Sequence, residues 1–183
     1  MNLRAAAAPV RPDPDSAGVA SLVERAQRGD RAALAEIYAT YRRTIRGILL
    51  ARAPRVDVDD LVQDVFLVAM ERLSSLRDPA AFPAWLAAIA RNRATDCLRS
   101  SARMAPLPAD LPVADVDRTE ALLVLAAIQS LPETYSETLT LRLVEGMTGP
   151  EIAVRTGLTE GSVRVNLHRG MKQLREKLER TLR

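Results

Sequence analysis

Apolar residues along this chain recur every three or four positions, which is the spacing of amphipathic helices. Two series are long enough to define one buried face each. Their members are Leu34, Ile37, Tyr38, Tyr41, Ile45 and Ile48, and then Val163, Leu167, Gly170, Leu174 and Leu178. No alternation of apolar and polar residues persists anywhere, so strands are not expected. The pattern predicts an all-α protein.

Turn residues and prolines divide the chain into two small helical domains joined by a flexible linker. The predicted segments are a flexible leader over 1–16, a helical domain over 17–101, a linker over 102–117 and a second helical domain over 118–183. Helices are expected over 19–28, from the cap Asp30 onward, over 57–73 and 83–101, and then over 118–130, 132–145 and in two closing helices. The linker contains Pro106, Pro108 and Pro112 among small residues.

The closing pair of helices has the pattern of a helix-turn-helix. Gly157 stands where the first helix must end and the chain must turn, a place that favours glycine. Thr159 follows with a side-chain oxygen that can cap the next helix. Opposite the apolar series, that helix carries a polar face with Arg164 at its edge. The face comprises Arg164, Val165, His168, Arg169 and Lys172.

The charge distribution supports DNA as the ligand of that face. Seven basic and two acidic residues lie between Ser162 and Arg183, whereas the whole chain has 26 basic and 23 acidic residues. The excess positive charge is therefore concentrated where phosphates would be neutralised. The alternative is an ordinary solvated face of a basic amphipathic helix.

The helix predicted over 57–73 begins with a cluster of acidic residues. The helix dipole accounts for Asp57 and Asp59, since negative charge is favoured near a helix N-terminus. The helix dipole accounts less well for a second group of residues, which share one face of the helix at i, i+3, i+4 and i+7. That group, Asp60, Gln63, Asp64 and Leu67, predicts a docking surface for a protein partner.

The helix predicted over 83–101 has a polar face with the opposite charge. Asn92, Asp96 and Arg99 share it, and four arginines with one aspartate lie between residues 91 and 103. Cations beside an amide can hold a phosphate backbone and bond a base edge. A solvated helix face explains the same residues, and the spacing alone does not separate the two.

Composition narrows the classes of function. Cys97 is the single cysteine, so no internal disulfide or multi-cysteine metal cluster can form, which fits a reducing cytoplasm. No segment approaches the roughly 18 apolar residues of a membrane span, so no membrane insertion is expected. The aspartate cluster could in principle hold a metal ion. However, its acids lie at a capping position and no catalytic arrangement of residues is readable, so we expect no catalytic residues, no metal and no cofactor.

Four stretches in this order resemble the extracytoplasmic-function (ECF) sigma factors of bacterial RNA polymerase. They are RGDRAALAEIYATYRR at 28–43, DVDDLVQDVFLVAMERL at 57–73, FPAWLAAIARNRATDCLR at 82–99 and LVEGMTGPEIAVRTGLTEGSVRVNLHRGMKQLREKL at 143–178. The first three are similar to region 2 of that family and the last to region 4.

The resemblance implies a function in promoter recognition, −10 melting and transcription initiation. Asp60, Gln63, Asp64 and Leu67 would then dock on the clamp coiled coil of the polymerase core. The region 4 face named above would enter the major groove of duplex DNA at the −35 element. Single-stranded −10 DNA would meet the fourth helix and the loop before it, through Leu76, Arg77, Arg91, Asn92, Arg93, Asp96 and Arg99.

Several positions depart from the family pattern, among them Leu76 and, on the recognition helix, Val165, Asn166 and His168. One partner comes from the family alone. Leu76 occupies the loop where an aromatic residue often stacks on an extruded base, so capture of the −10 element is expected to depend on pocket shape. Many members of the family are held by an anti-sigma factor, which adds such a protein as a candidate partner.

Two other functions stay open at this level. A stand-alone helix-turn-helix regulator would bind two half-sites as a dimer, with the first domain sensing or dimerising. An enzyme would have to use the aspartate cluster. A stand-alone regulator binds its DNA sites without polymerase core, whereas a sigma factor needs core. This dependence separates the two functions.

Overall fold

The computed structural model describes residues 14–53, 58–101 and 116–181. Within these ranges the protein is helical and contains no strand, which confirms the predicted fold class. Short 3₁₀ turns at Leu73–Ser75 and Pro79–Ala81 connect the third and fourth helices. The helices are α1 Pro14–Gln27, α2 Arg31–Arg52, α3 Val58–Arg72, α4 Phe82–Ser101, α5 Val116–Gln129, α6 Glu133–Leu143, α7 Gly149–Thr156 and α8 Glu160–Thr181.

The predicted bounds agree with the structure to within a few residues, except at α1. That helix begins at Pro14, five residues before the predicted start at Val19, so residues 14–16 of the predicted leader are helical. Proline is tolerated at the first positions of a helix, where its missing N–H has no partner to lose. The rest of the predicted leader, residues 102–115 of the predicted linker and Asp57 lie outside the described residues.

Helices α1 to α4 enclose the first hydrophobic core. Asp30 caps α2 as predicted, since its carboxylate accepts from the backbone N–H groups of Ala32 and Ala33. From the predicted series on α2, Ile37, Tyr41, Ile45 and Ile48 are buried, Leu34 is partly buried and Tyr38 is 38 % exposed. The Tyr41 ring meets the Phe82 ring edge-on at 5.3 Å.

Helices α5 to α8 form a second core of two adjoining clusters. Leu141, Ile152 and Val163 are among the buried residues of one cluster, and Ile128 and Leu174 among those of the other. Leu167 packs against both clusters and so joins them. The apolar stripe predicted on α8 is therefore the stripe that holds this helix in place.

The second core lies directly against the first, because α6 packs along α2. A Cβ atom at Gly47 would lie 2.6 Å from Leu141 Cδ2, so the two helices approach closely at this glycine. The turn after α7 approaches α4 in the same way, since a Cβ at Gly157 would lie 2.5 Å from Ala84 Cβ. Each half has its own core, and the two halves share an interface.

Candidate nucleic-acid interface

The turn between α7 and α8 has the geometry predicted from its glycine. Gly157 adopts a left-handed conformation with φ +72°, which a side chain would strain. Two residues later, Thr159 Oγ1 accepts a hydrogen bond from the Ser162 backbone N–H at 3.1 Å. The glycine ends α7 and the threonine caps α8, so the pair forms a helix-turn-helix.

A second cap, which sequence reasoning missed, fixes the start of α7. Thr148 and Glu151 form a capping box, with the Thr148 backbone N–H donating to Glu151 Oε2 at 2.7 Å. Backbone and then side-chain hydrogen bonds from Thr148 hold the pKa of Glu151 below its ordinary value of 4.5. The signal was present in the sequence as threonine followed three residues later by glutamate.

The polar face of α8 points away from the second core. Arg164, Val165, His168, Arg169 and Lys172 are all exposed, and Val165 keeps 43 % of its surface accessible. On the opposite side Val163 and Leu174 are buried, and Gly170 lies where a Cβ would be 3.1 Å from Leu139 Cδ1. The helix therefore presents three full cations and one histidine on a surface that can enter a groove of DNA.

The acidic group on α3 forms an exposed surface with an apolar centre. Asp60 and Gln63 are exposed, and Leu67 has 63 % of its surface accessible. Asp64 is partly exposed and forms an ion pair with Arg93 of α4. The side chain of Leu67 and its polar neighbours are therefore accessible to a partner.

Most residues of the DNA-binding face predicted on α4 are exposed. Asn92, Arg93, Asp96 and Arg99 are exposed, and Arg77 is exposed in the preceding loop. The pKa of Arg93 is raised, first by its hydrogen bond to Asp64. This ion pair places the predicted DNA-binding face directly beside the predicted core-binding face.

Two residues of the predicted −10 set are less accessible than the others. Leu76 packs partly buried against the first core, and its carbonyl accepts from Gln27 Nε2 at 2.9 Å. Arg91 turns toward the second half, where its Nε and Nη2 donate to the two carboxylate oxygens of Glu137 at 2.9 and 2.6 Å. Sequence reasoning missed Glu137, because the two residues are 46 positions apart and no local pattern joins them.

Among the residues that the structure describes, no group of three or more His, Cys, Asp and Glu side chains could hold a metal ion. Over the same residues, every helix is too short or too polar to span a membrane.

Comparison with known proteins connects these surfaces to a family. Residues 37–104 match the family described as Sigma-70 region 2, and residues 121–174 match Sigma-70, region 4. The ECF RNA polymerase sigma-E factor of Haemophilus influenzae is 30 % identical over 178 residues, which cover 87 % of this chain and 94 % of that protein. The chain belongs to the ECF sigma factors.

Further similar proteins agree with this chain in length or in fold. The sigma-E factor of Escherichia coli K12 is 29 % identical over 187 residues, covering 88 % of this chain and 95 % of its own. The solved structure of CnrH in complex with the cytosolic domain of CnrY is similar with a TM-score of 0.61 and 26 % identity, over 88 % and 97 % of the two chains. The sigma factor RpoE of Bartonella quintana, solved with the anti-sigma factor NepR, shares the fold at 21 % identity and a TM-score of 0.51, over 79 % of this chain and 95 % of its own.

The two family matches fall on the two halves of the chain. The region 2 match takes in most of α2, α3 and α4, and the region 4 match takes in most of α5 to α8. As an ECF sigma factor, the chain recognises promoters and initiates transcription with RNA polymerase. Sigma factors are initiation factors, and neither matching family is catalytic.

The cap of α7 allows a test of how this domain is stabilised. Thr148→Ala removes the oxygen that accepts from the Glu151 N–H, and we expect it to lower the free energy of unfolding by about 1 kcal/mol. Thr134→Ala, at an exposed threonine in the first turn of α6, is the matched control. Chemical denaturation followed by circular dichroism at neutral pH measures both. An equal loss of unfolding free energy in the two variants would contradict the role of the cap.

The depressed pKa of Glu151 adds a pH dependence with a defined sign. A carboxyl whose pKa is lower in the folded state stabilises the fold above its unfolded pKa, and loses that effect as pH falls through the folded pKa. The difference in the free energy of unfolding between the native chain and Glu151→Gln should therefore be largest at pH 7 and shrink below about pH 4.5. A difference that grows on acidification would overturn this assignment.

Proposed function

We propose that the chain divides promoter recognition among three helices. Helix α8 enters the major groove at the −35 element, α4 and its preceding loop hold the melted −10 strand, and α3 docks on the clamp coiled coil of the polymerase core. The observation that carries this proposal is the face of α8, where exposed cations stand opposite a buried stripe in a helix-turn-helix.

The support for core docking comes from the exposed apolar centre on α3. Leu67 is 63 % exposed, with Gln63 and Asp60 exposed on the same face. Burying such a leucine against a partner is favourable by about 25 cal/mol per Å² of apolar surface removed from water. The surrounding acids supply complementarity to a basic partner and repel DNA phosphates.

The support for −10 binding comes from α4. Asn92 can bond a base edge, while the exposed Arg93, Arg99 and Arg77 can hold phosphates. Asp96 Oδ1 lies 3.8 Å from Arg99 Nη1, so the two side chains form an exposed ion pair. Because Leu76 is partly buried, we propose that the extruded base is held by the shape of its pocket and not by aromatic stacking.

Further parts of the proposal concern partners and chemistry. CnrH was solved with CnrY, and RpoE with its anti-sigma factor NepR, so we propose that an anti-sigma factor restrains this chain as well. We also propose that the chain works in the cytoplasm, beside the polymerase, and acts by binding without a covalent step, metal or cofactor.

The experiment that tests the whole proposal is run-off transcription on fragments of host genomic DNA, with and without core polymerase. We expect start sites only when core and the chain are both present, and weak binding of duplex DNA by the chain alone. Loss of specific initiation between about 50 and 200 mM salt is expected, because phosphate contacts release counterions. A footprint on duplex DNA without core, combined with a dimer in solution, would support the stand-alone regulator.

The core-docking surface is tested by Gln63→Ala and Leu67→Ala. We expect Leu67→Ala to weaken binding of core by about tenfold, which corresponds to a moderate interface hot spot. Asp64 is not substituted, because it forms an ion pair with Arg93. Its loss would change the proposed DNA-binding face together with the core-docking surface. Fluorescence titration of labelled chain with core, without DNA, gives the affinity.

The matched control for that surface is Leu98→Ala, at a leucine on α4 that is 46 % exposed. Its affinity for core should equal that of the native chain. If Leu67→Ala and Leu98→Ala behave alike, α3 is not the docking helix.

The −35 surface is tested by Arg169→Ala and Lys172→Ala in the holoenzyme. Each lost phosphate contact should make the fall of log affinity with log salt less steep by about one. Each lost base contact should relax the preference for the promoter sequence. Arg180→Ala, at an exposed arginine in the last turn of α8, serves as the charge-matched control. The measurement is holoenzyme binding to promoter fragments across a salt series. An identical slope in all three variants and the native holoenzyme would remove α8 from the −35 contact.

A further inference from the structure

One apolar side chain stands in the middle of the polar face of α8. Gly161, Val165, Arg169 and Lys172 follow one another at i, i+4, i+8 and i+11, so they share one side of the helix. Val165 and the buried Leu174 are about two and a half turns apart, which places them on opposite sides. Val165 therefore points straight away from the second core.

The turn before Val165 leaves this side chain uncovered. Side chains of a helix lean toward its N-terminus, so Val165 leans over the turn that begins at Gly161. Glycine has no side chain there that could cover the valine. Much of the valine side chain is therefore open, and 43 % of the residue is accessible.

Neither packing nor backbone conformation requires the glycine at 161. Among the described residues, a Cβ atom at Gly161 would meet nothing closer than Thr159 Oγ1 at 4.0 Å. The described glycines with positive φ are Gly29, Gly146 and Gly157, so Gly161 is not one of them. Alanine would fit at this position and would favour the helix more. A glycine without an internal cause suits a place where the backbone must come close to a ligand.

The major groove of DNA presents an apolar group that fits an exposed valine. Thymine carries a 5-methyl group on its major-groove edge, and apolar side chains contact it. Val165 lies in the second turn of α8, which begins at Glu160, and residues near the start of a recognition helix contact base edges. The cations on the same face, Arg169 and Lys172, can hold the neighbouring phosphates.

We infer that Val165 reads the 5-methyl group of a thymine in the −35 element, and that Gly161 lets the groove come close enough for this contact. The inference rests on the proposed placement of α8 in the major groove, and it names the base chemistry that this helix selects. The cations supply affinity, whereas Val165 supplies a preference for thymine at one position. A base without the methyl group leaves a gap against the valine, and a gap loses those contacts.

The test removes the methyl group from the DNA and the valine from the protein. Promoter fragments come from the run-off experiment, and each thymine of the −35 element, on either strand, is replaced in turn by uracil, which lacks only the 5-methyl group. Competition measured by fluorescence anisotropy gives the affinity of holoenzyme for each fragment. The holoenzyme contains the native chain, Val165→Ala or Val144→Ala. Val144 is the matched control, because it is 44 % exposed and lies outside α8.

We expect one thymine at which uracil weakens binding by the native holoenzyme about fourfold, the effect of one buried methyl group. Val165→Ala should bind the thymine and uracil fragments alike, and the two changes together should cost little more than either alone. Val144→Ala should keep the native ratio of the two affinities. Alanine favours a helix more than valine does, so Val165→Ala is expected to fold, which circular dichroism verifies.

Gly161→Ala gives a second readout in which stability and binding change in opposite directions. The free energy of unfolding should be equal to that of the native chain or higher, because alanine fits this turn and favours the helix. Affinity for the thymine fragment should nevertheless fall, since the added methyl group stands where the groove must approach. Unchanged affinity for that fragment would overturn the close approach at Gly161.

A −35 element in which no thymine responds to the loss of its methyl group would overturn the reading by Val165. A uracil effect that persists unchanged in Val165→Ala would overturn it as well. Failure of the proposed function would be visible separately, because Arg169→Ala would then leave the salt dependence of holoenzyme binding unchanged.

Discussion

Helix α2 is the element against which both halves of the molecule pack. Its apolar side, with Ile37, Tyr41 and Ile45, completes the first core, and Gly47 lets α6 approach. Arginines on the helix supply ion pairs to the second half. The faces of α3, α4 and α8 that are left for binding are those that packing on these cores does not bury.

The local features of the fold were predictable, because each depends on neighbours within a few residues. The stripe on α8 follows the helical period, Asp30 and Thr159 cap the helices that follow them, and Gly157 supplies the left-handed turn. The exposure of the predicted faces follows from the same periodicity. The roles of their individual residues are still predictions, supported by exposure and charge.

The remaining features depend on which distant residues meet, and the helical period contains no information about that. Arg46 and Glu145 are 99 positions apart, and each alone has the pattern of an ordinary surface charge. Arg91 belongs by its position to the basic region of α4, but Glu137 draws it into the interface. The start of α1 was predicted too late because prolines near residue 14 suggested an irregular chain, although proline suits a first helical turn.

Two of the ion pairs that engage proposed DNA contacts differ in the environment of their carboxylates, and that difference decides the cost of breaking them. The pair between Arg93 and Asp64 has side chains 45 % and 41 % exposed, and exposed pairs contribute about 0–1 kcal/mol. Core or DNA can therefore displace it at little cost. Arg91 and Glu137 have side chains 29 % and 6 % exposed, and leaving one member of a buried pair unpaired costs about 3–5 kcal/mol. Glu137 has a second partner in Arg52 at 3.5 Å, so it is not left unpaired when Arg91 leaves, and release of Arg91 to DNA costs only part of that amount. Release of Arg93 leaves exposed groups on both sides and costs less still.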